Sequence, residues 1–125
     1  MTPARVVPHL SDKQVTLTLP EPPSANRWWR MVNGHMVTSK AARQYKEGLS
    51  ALRGYRVAAG PIVVTLDWYR GRKSGDLDKR IGVVLDALQG VLYENDAQIV
   101  ELHARRFDDA ANPRIVVGVT PDSIP

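Results

Sequence analysis

Ile62-Val63-Val64-Thr65-Leu66-Asp67-Trp68-Tyr69-Arg70, then Gly71-Arg72-Lys73-Ser74-Gly75, then Asp76-Leu77-Asp78-Lys79-Arg80-Ile81-Gly82-Val83-Val84-Leu85-Asp86-Ala87-Leu88, holds two periods separated by a basic loop. In the first segment Ile62, Val64, Leu66 and Trp68 alternate with Val63, Thr65, Asp67 and Tyr69, a period of 2 that predicts a strand introduced by Pro61. In the last, Leu77, Ile81, Val84, Leu85 and Leu88 recur at i, i+4, i+7, i+8 and i+11, the stripe of an amphipathic helix. Gly90 suits the C-terminal cap of that helix.

Working outward, Val15, Leu17 and Leu19 alternate with Thr16 and Thr18 in a second strand pattern, stopped by Pro20, Pro22 and Pro23. Residues 28–32 and 35–38 flank Asn33-Gly34, a strong hairpin signal because both residues tolerate positive φ. Ser39 is a helix N-cap candidate, with Ala42, Tyr45, Leu49 and Leu52 on one face and Gly54 as the stop. Strands are expected around 98–107 and 115–119, with Asn112-Pro113 turning between them. The predicted order is strand, hairpin, helix, strand, helix, strand, strand: an α+β fold, with two main helices packed on a small mixed sheet. Residues 1–13 read as a loose arm, 14–120 as one domain and 121–125 as a frayed tail.

The chain has 125 residues, 43% hydrophobic and 24% charged, which is enough for one core. A formal charge of +4 and a pI near 9.7 fit an anionic partner such as nucleic acid without specifying one. The absence of cysteine excludes disulfides, thiolate zinc sites and cysteine nucleophiles. His9, His35 and His103 show no ligand spacing. No apolar run approaches a membrane span and the N-terminus has no apolar secretory region, so a soluble cytoplasmic protein with no membrane partner is expected.

Asp76 and Asp78 sit where loop becomes helix. Residues i and i+2 share a side of an extended chain, so both carboxylates can converge while Leu77 anchors the turn. Oxygen donors of this kind suit Mg²⁺ or Mn²⁺ beside substrate phosphate, and Asp96 from a later loop can supply a third. Capping alone also favours Asp at a helix start, so spacing leaves both readings open. On the helix wheel Asp78, Gly82, Asp86 and Gln89 share a stripe, with Lys79 at its outer edge. Gly82 is unusual there, because glycine inside a helix costs about 1 kcal/mol relative to alanine.

Two motifs carry a resemblance. Leu19-Pro20-Glu21-Pro22-Pro23-Ser24-Ala25-Asn26-Arg27-Trp28-Trp29-Arg30 is similar to the Pro-Pro-Ser-x-Asn opening of the RusA family of Holliday-junction resolvases. Asp76-Leu77-Asp78, Asp86-Ala87-Leu88 and Asn95-Asp96-Ala97-Gln98-Ile99-Val100 resemble its acidic motif. The likeness runs over residues 15–120. It implies a RusA-like fold and a homodimeric, Mg²⁺-dependent endodeoxyribonuclease of DNA recombination and repair. Such an enzyme resolves four-way DNA junctions by paired symmetric nicks.

Carried over by position, Asp76, Asp78 and Asp96 are the expected catalytic metal ligands. The family also has a functional lysine one turn after the second Asp, and here that position is Gly82. Lys79 is the expected stand-in, contacting the scissile phosphate or stabilising the leaving oxygen. Asn26 and Arg27 are expected near the DNA backbone or the active site. Arg70, Arg72 and Lys73 are expected to bind DNA because they share a loop with the carboxylates. Trp28 and Trp29 are candidates to stack on bases or wedge the junction, and Trp68 is expected in the core. Asp67 and Asp86 are not expected to be ligands. The competing functions are a non-catalytic binder of branched DNA and a nuclease of flaps or replication forks.

Overall fold

The computed structural model describes residues 5–8, 14–56 and 59–122. The chain runs β1 (Arg5–Pro8), β2 (Val15–Pro20), α1 (Ala25–Trp28), β3 (Trp29–Val32), β4 (His35–Thr38), α2 (Lys40–Gly48), a 3₁₀ turn (Ser50–Tyr55), β5 (Ile62–Arg70), α3 (Leu77–Leu88), a second 3₁₀ turn (Asp96–Gln98), β6 (Ile99–Asp108) and β7 (Arg114–Pro121). Five strands form one mixed sheet in the order β1-β2-β7-β5-β6, and β3-β4 stand apart as a two-stranded sheet. β5 pairs parallel with β6 and antiparallel with β7. A parallel pair needs a crossover, and α3 provides it, lying across the sheet between the two strands it connects.

The alternating residues pack as their period requires. Ile62, Val64, Leu66 and Trp68 of β5, Leu17 and Leu19 of β2, and Ile115, Val117 and Val119 of β7 are buried, against Val83, Val84, Ala87 and Leu88 of α3 and Ala42 and Tyr45 of α2. The opposite face carries polar and aromatic pairs. Arg105 Nε lies 3.2 Å from Asp67 Oδ1, Tyr69 stacks on Phe107 with centroids 4.9 Å apart, and the Arg114 guanidinium sits 3.8 Å over Tyr69. Asp67 therefore serves the sheet, and Asp86 serves the core by accepting a hydrogen bond from Trp28 Nε1 at 2.9 Å.

Several boundaries differ from the sequence reading. Arg5–Pro8, within the stretch read as a loose arm, pairs with β2 from Arg5↔Thr18 to Pro8↔Val15; residues 1–4 and 9–13 lie outside the described residues. Likewise β7 extends to Pro121 and the Asp122 amide donates to Pro61 O at 2.9 Å, so both residues, read as part of a frayed tail, are tied to the sheet; residues 123–125 lie outside the described residues. Ser39 does cap α2, its hydroxyl accepting from the Ala42 amide. The helix ends at Gly48, however, and a 3₁₀ turn follows. Leu49 and Leu52 stay buried because a three-residue spacing eclipses side chains in a 3₁₀ turn. Trp28 closes the single-turn α1 instead of starting the hairpin, and is wholly buried, while Trp29 is exposed. Asn33 (φ 51°) and Gly34 (φ 79°) make the expected turn. No helix among the described residues is long and apolar enough to cross a membrane.

Candidate active site

The loop after β5 ends at Gly75, whose φ of 101° turns the chain into α3. Asp76 occupies the N-cap position, yet its carboxylate makes no capping hydrogen bond. Its charged neighbour is Lys79, with Nζ 3.9 Å from Oδ2, and both side chains are well exposed, at 62% for Lys79 and 70% for Asp76. Asp78 follows in the first turn, exposed, with no hydrogen bond or ion pair to any described residue. The helix start and its dipole favour these two charges, but no protein donor takes them up.

Asp96 is handled differently. The cap of its 3₁₀ turn is Asn95, in a reciprocal capping box with Gln98, so the Asp96 carboxylate is not used as a cap. Instead the Tyr93 hydroxyl lies 2.8 Å from Asp96 Oδ1 and 2.9 Å from Leu85 O, and Gln89 Oε1 accepts the Asp96 amide at 2.8 Å. Burial raises the Tyr93 pKa, and the hydrogen bond and charge of Asp96 raise it further, so the hydroxyl stays a donor that orients the carboxylate. Leu85 is seven residues beyond Asp78, so Asp96 lies about 10 Å further along the α3 axis. Among the described residues no group of three His, Cys, Asp or Glu side chains is close enough to hold a metal ion. Within one chain, Asp76 and Asp78 form an exposed oxygen pair, and the third candidate stands at the far half of the same helix.

The two sequence motifs do meet. Ser24, Ala25 and Asn26 line a cavity of about 240 Å³ together with Trp68, Gly75, Asp76, Lys79 and Arg80. Arg80 makes this meeting possible. It is 8% exposed, donates from one terminal nitrogen to Pro22 O at 2.7 Å and Pro23 O at 3.0 Å, and lies 4.6 Å from the Trp68 ring centroid. Burial lowers its pKa, against the opposing charge of Glu21. Glu21 in turn accepts from Trp68 Nε1 at 2.8 Å and from the Gly71 amide at 3.2 Å. Proline carbonyls have no strand or helix ladder to join here, so a buried guanidinium satisfies them and clamps the Pro-Pro-Ser turn to the start of α3. Arg80, Glu21 and Tyr93 are the positioning residues that the sequence pattern does not single out. The local signal for two of them is slight: Glu21 lies inside the proline motif and Arg80 stands two residues after Asp78.

The loop cations divide. Arg70 turns inward to pair with Asp108, which lowers the pKa of that carboxyl through the hydrogen bond, so Arg70 braces the loop rather than projecting from it. Arg72 and Lys73 are exposed, with no ion pair among the described residues. Arg27 is exposed on α1, beside a groove formed with Pro22, Pro23 and Tyr45. A Cβ at Gly82 would meet nothing within 4 Å, so α3 is open at that point.

Two exposed carboxylates whose one protein partner is the exposed Lys79, set beside a basic loop on an α+β scaffold, define a candidate phosphoryl-transfer site of the metal-dependent nuclease class. The sequence profile described as Endodeoxyribonuclease RusA matches residues 20–120, and the chain belongs to that family. The small mixed sheet with its helices agrees with that fold, and membership supports a nuclease and Holliday-junction resolvase role. No curated protein gave a significant match to the chain.

Proposed function

We propose that this protein is a structure-selective endodeoxyribonuclease that resolves four-way DNA junctions by paired symmetric nicks, as a Mg²⁺-dependent homodimer. The observation that carries the reading is the state of Asp76 and Asp78: both are exposed at the start of α3, neither makes a capping hydrogen bond, and the one ion pair they make is from Asp76 to the exposed Lys79. Asp76, Asp78 and Asp96 would hold the cation, with Mn²⁺ as a substitute of like chemistry. When bound, it supplies positive charge to the scissile phosphate and a water of lowered pKa. Lys79, held beside Asp76, contacts the same phosphate. Asn26 lines the cavity next to Asp76 and, with Arg27, Arg72 and Lys73, tracks the strand through its phosphates.

The separation of Asp96 from the pair bears on the dimer. A second copy related by a two-fold axis, with its α3 antiparallel to this one, brings the partner's far half to Asp76 and Asp78. Gly82 is near the midpoint of α3, where such an axis would pass. The surface on offer is apolar: Leu77, Ile81 and Leu85 are only partly buried on α3. Val100 and Leu102 are exposed on β6, the edge strand that pairs only with β5 among the described residues. Two-fold symmetry also matches the two equivalent strands of a junction.

The test is incubation of the protein with a synthetic four-way junction, with and without Mg²⁺, beside Asp78→Asn. Paired nicks that vanish with chelator and with the variant are expected. Binding without nicks would replace the reading with a non-catalytic junction binder, and equal cutting of flaps or forks would broaden the substrate.

A further inference from the structure

The β3-β4 hairpin is set apart from the rest of the molecule. It shares no hydrogen bonds with the main sheet, and most of its residues are exposed. Its exposed residues include large apolar ones: Met31 is 60% and Met36 62% exposed, and Trp29, Val32 and Val37 are each 37% exposed. Met31 pairs directly with Met36, and Trp29 with Thr38, so one face of the ribbon presents Trp29, Met31 and Met36 together. A free two-stranded ribbon is marginal in water, and this one is held at its base. Trp28 is fully buried with its indole N–H on Asp86, its ring meets Tyr45 edge-on at 5.9 Å, and the Ser39 amide donates to Trp28 O at 2.8 Å. Arg43 Nη1 donates to Thr38 O at 2.9 Å. The base is tied to the core, and Met31 and Met36 beyond it are exposed.

The charge around it identifies what it meets. From Pro22 to Lys46 the chain holds Arg27, Arg30, Lys40, Arg43 and Lys46 and no Asp or Glu, five of the 17 cations and none of the 13 acids; of the five, Lys46 is ion-paired, with Asp86 at 3.4 Å. Twelve cations and thirteen acids remain elsewhere, a net of −1, so this segment carries the whole basic excess of the chain. A second copy of so basic a segment would be repelled, whereas a polyanion is attracted. Apolar side chains on a cationic mount suit insertion between base pairs, because methionine can part a base step while the surrounding cations hold the phosphates.

We propose that the hairpin is a wedge that inserts Met31 and Met36 between base pairs at the branch point and holds the DNA open beside the carboxylates. This rests on the branched-DNA reading above. The test uses the full chain in chelator with a four-way junction carrying 2-aminopurine at the pairs flanking the crossover, so that no cleavage is needed. Wild type should raise the fluorescence about 3-fold or more through unstacking. Met31→Ser/Met36→Ser should lose most of that rise while its affinity for linear duplex changes less than about 2-fold, because phosphate contacts remain. Met31→Leu/Met36→Leu should keep the rise. An undiminished rise in the serine variant overturns the wedge, as does loss of the dimer in that variant by sedimentation, which would make the tip a protein interface. Failure of wild type to nick in Mg²⁺ while unstacking persists would instead overturn the nuclease reading and leave the wedge standing.

Discussion

If the active site is shared between subunits, two inactive variants should restore each other. Asp78→Asn and Asp96→Asn are each expected to cut junctions about 100-fold more slowly or worse, since each removes one oxygen donor from every site. The geometry predicts what mixing does. Asp96 is fixed through Tyr93 to the level of Leu85, about 10 Å along α3 from Asp78, so one chain does not bring the two carboxylates together. In a mixed dimer, one site receives both substitutions and the other receives neither. Random exchange of equal amounts makes half the dimers mixed, each with one intact site, so nicking should recover to about a quarter of the wild-type rate. The product also changes: a dimer with one working site leaves a singly nicked junction, not two resolved duplexes, and a denaturing and native gel pair separates the two. If each site were built within one chain, every site of the mixed dimer would carry one substitution and nothing would recover. Absence of recovery, with subunit exchange confirmed by a tagged partner, refutes the shared site.

Three further outcomes follow from particular contacts. Arg80→Met strands the Pro22 and Pro23 carbonyls and should cost about 3 kcal/mol by urea unfolding, and a loss below about 1 kcal/mol would show that the arginine does not clamp the turn. Lys79→Ala should slow junction cleavage about 100-fold while leaving stability unchanged, and Gly82→Lys in that background should recover part of the rate. The same Gly82→Lys change should add roughly 0.7 kcal/mol of helix stability, because its Cβ meets no neighbour. Asp108 and Asp109 have pKa values lowered by hydrogen bonds from Arg70 and Arg114, so their stabilisation is complete above the ordinary carboxylate pKa of about 3.9 and lost as pH falls below it. Thermal melts from pH 6 to 2 should therefore show a shallower acid decline for Asp108→Asn/Asp109→Asn than for wild type.

What was legible in the sequence is what depends on near neighbours. The period-2 run of β5, the stripe of α3, the Asn33-Gly34 turn and the Ser39 cap are each set by residues within a few positions, and each forms. The strand of Arg5–Pro8 has no period to read, because it is an edge strand whose place is fixed by pairing with β2. Trp28 reads as the first residue of a hairpin strand because the proline turn before it masks a single helical turn. Only Asp86, 58 positions away, gives its indole N–H a partner. Arg70 reads as a DNA-facing cation from its loop, whereas its partner Asp108 comes from the adjacent strand through the parallel register.

Arg80 marks the deeper limit, and it also explains why the two motifs occur together. By pattern it is another cation on the exposed start of a helix, next to Lys79. In three dimensions Lys79 faces Asp76 at the surface, while Arg80 points inward to carbonyls 57 and 58 positions earlier. Among the described residues those carbonyls have no other donor, and a buried guanidinium with fewer acceptors would be costly. The proline turn and the arginine thus require each other. Together with Glu21, which bonds both Trp68 and the loop at Gly71, they lock Asn26 beside Asp76. The carboxylates themselves make no such contacts and contribute nothing evident to the fold. The scaffold uses its buried polar interactions to hold the surroundings of the site in place, and leaves Asp78 unpaired and Asp76 facing only the exposed Lys79, open to what binds from outside.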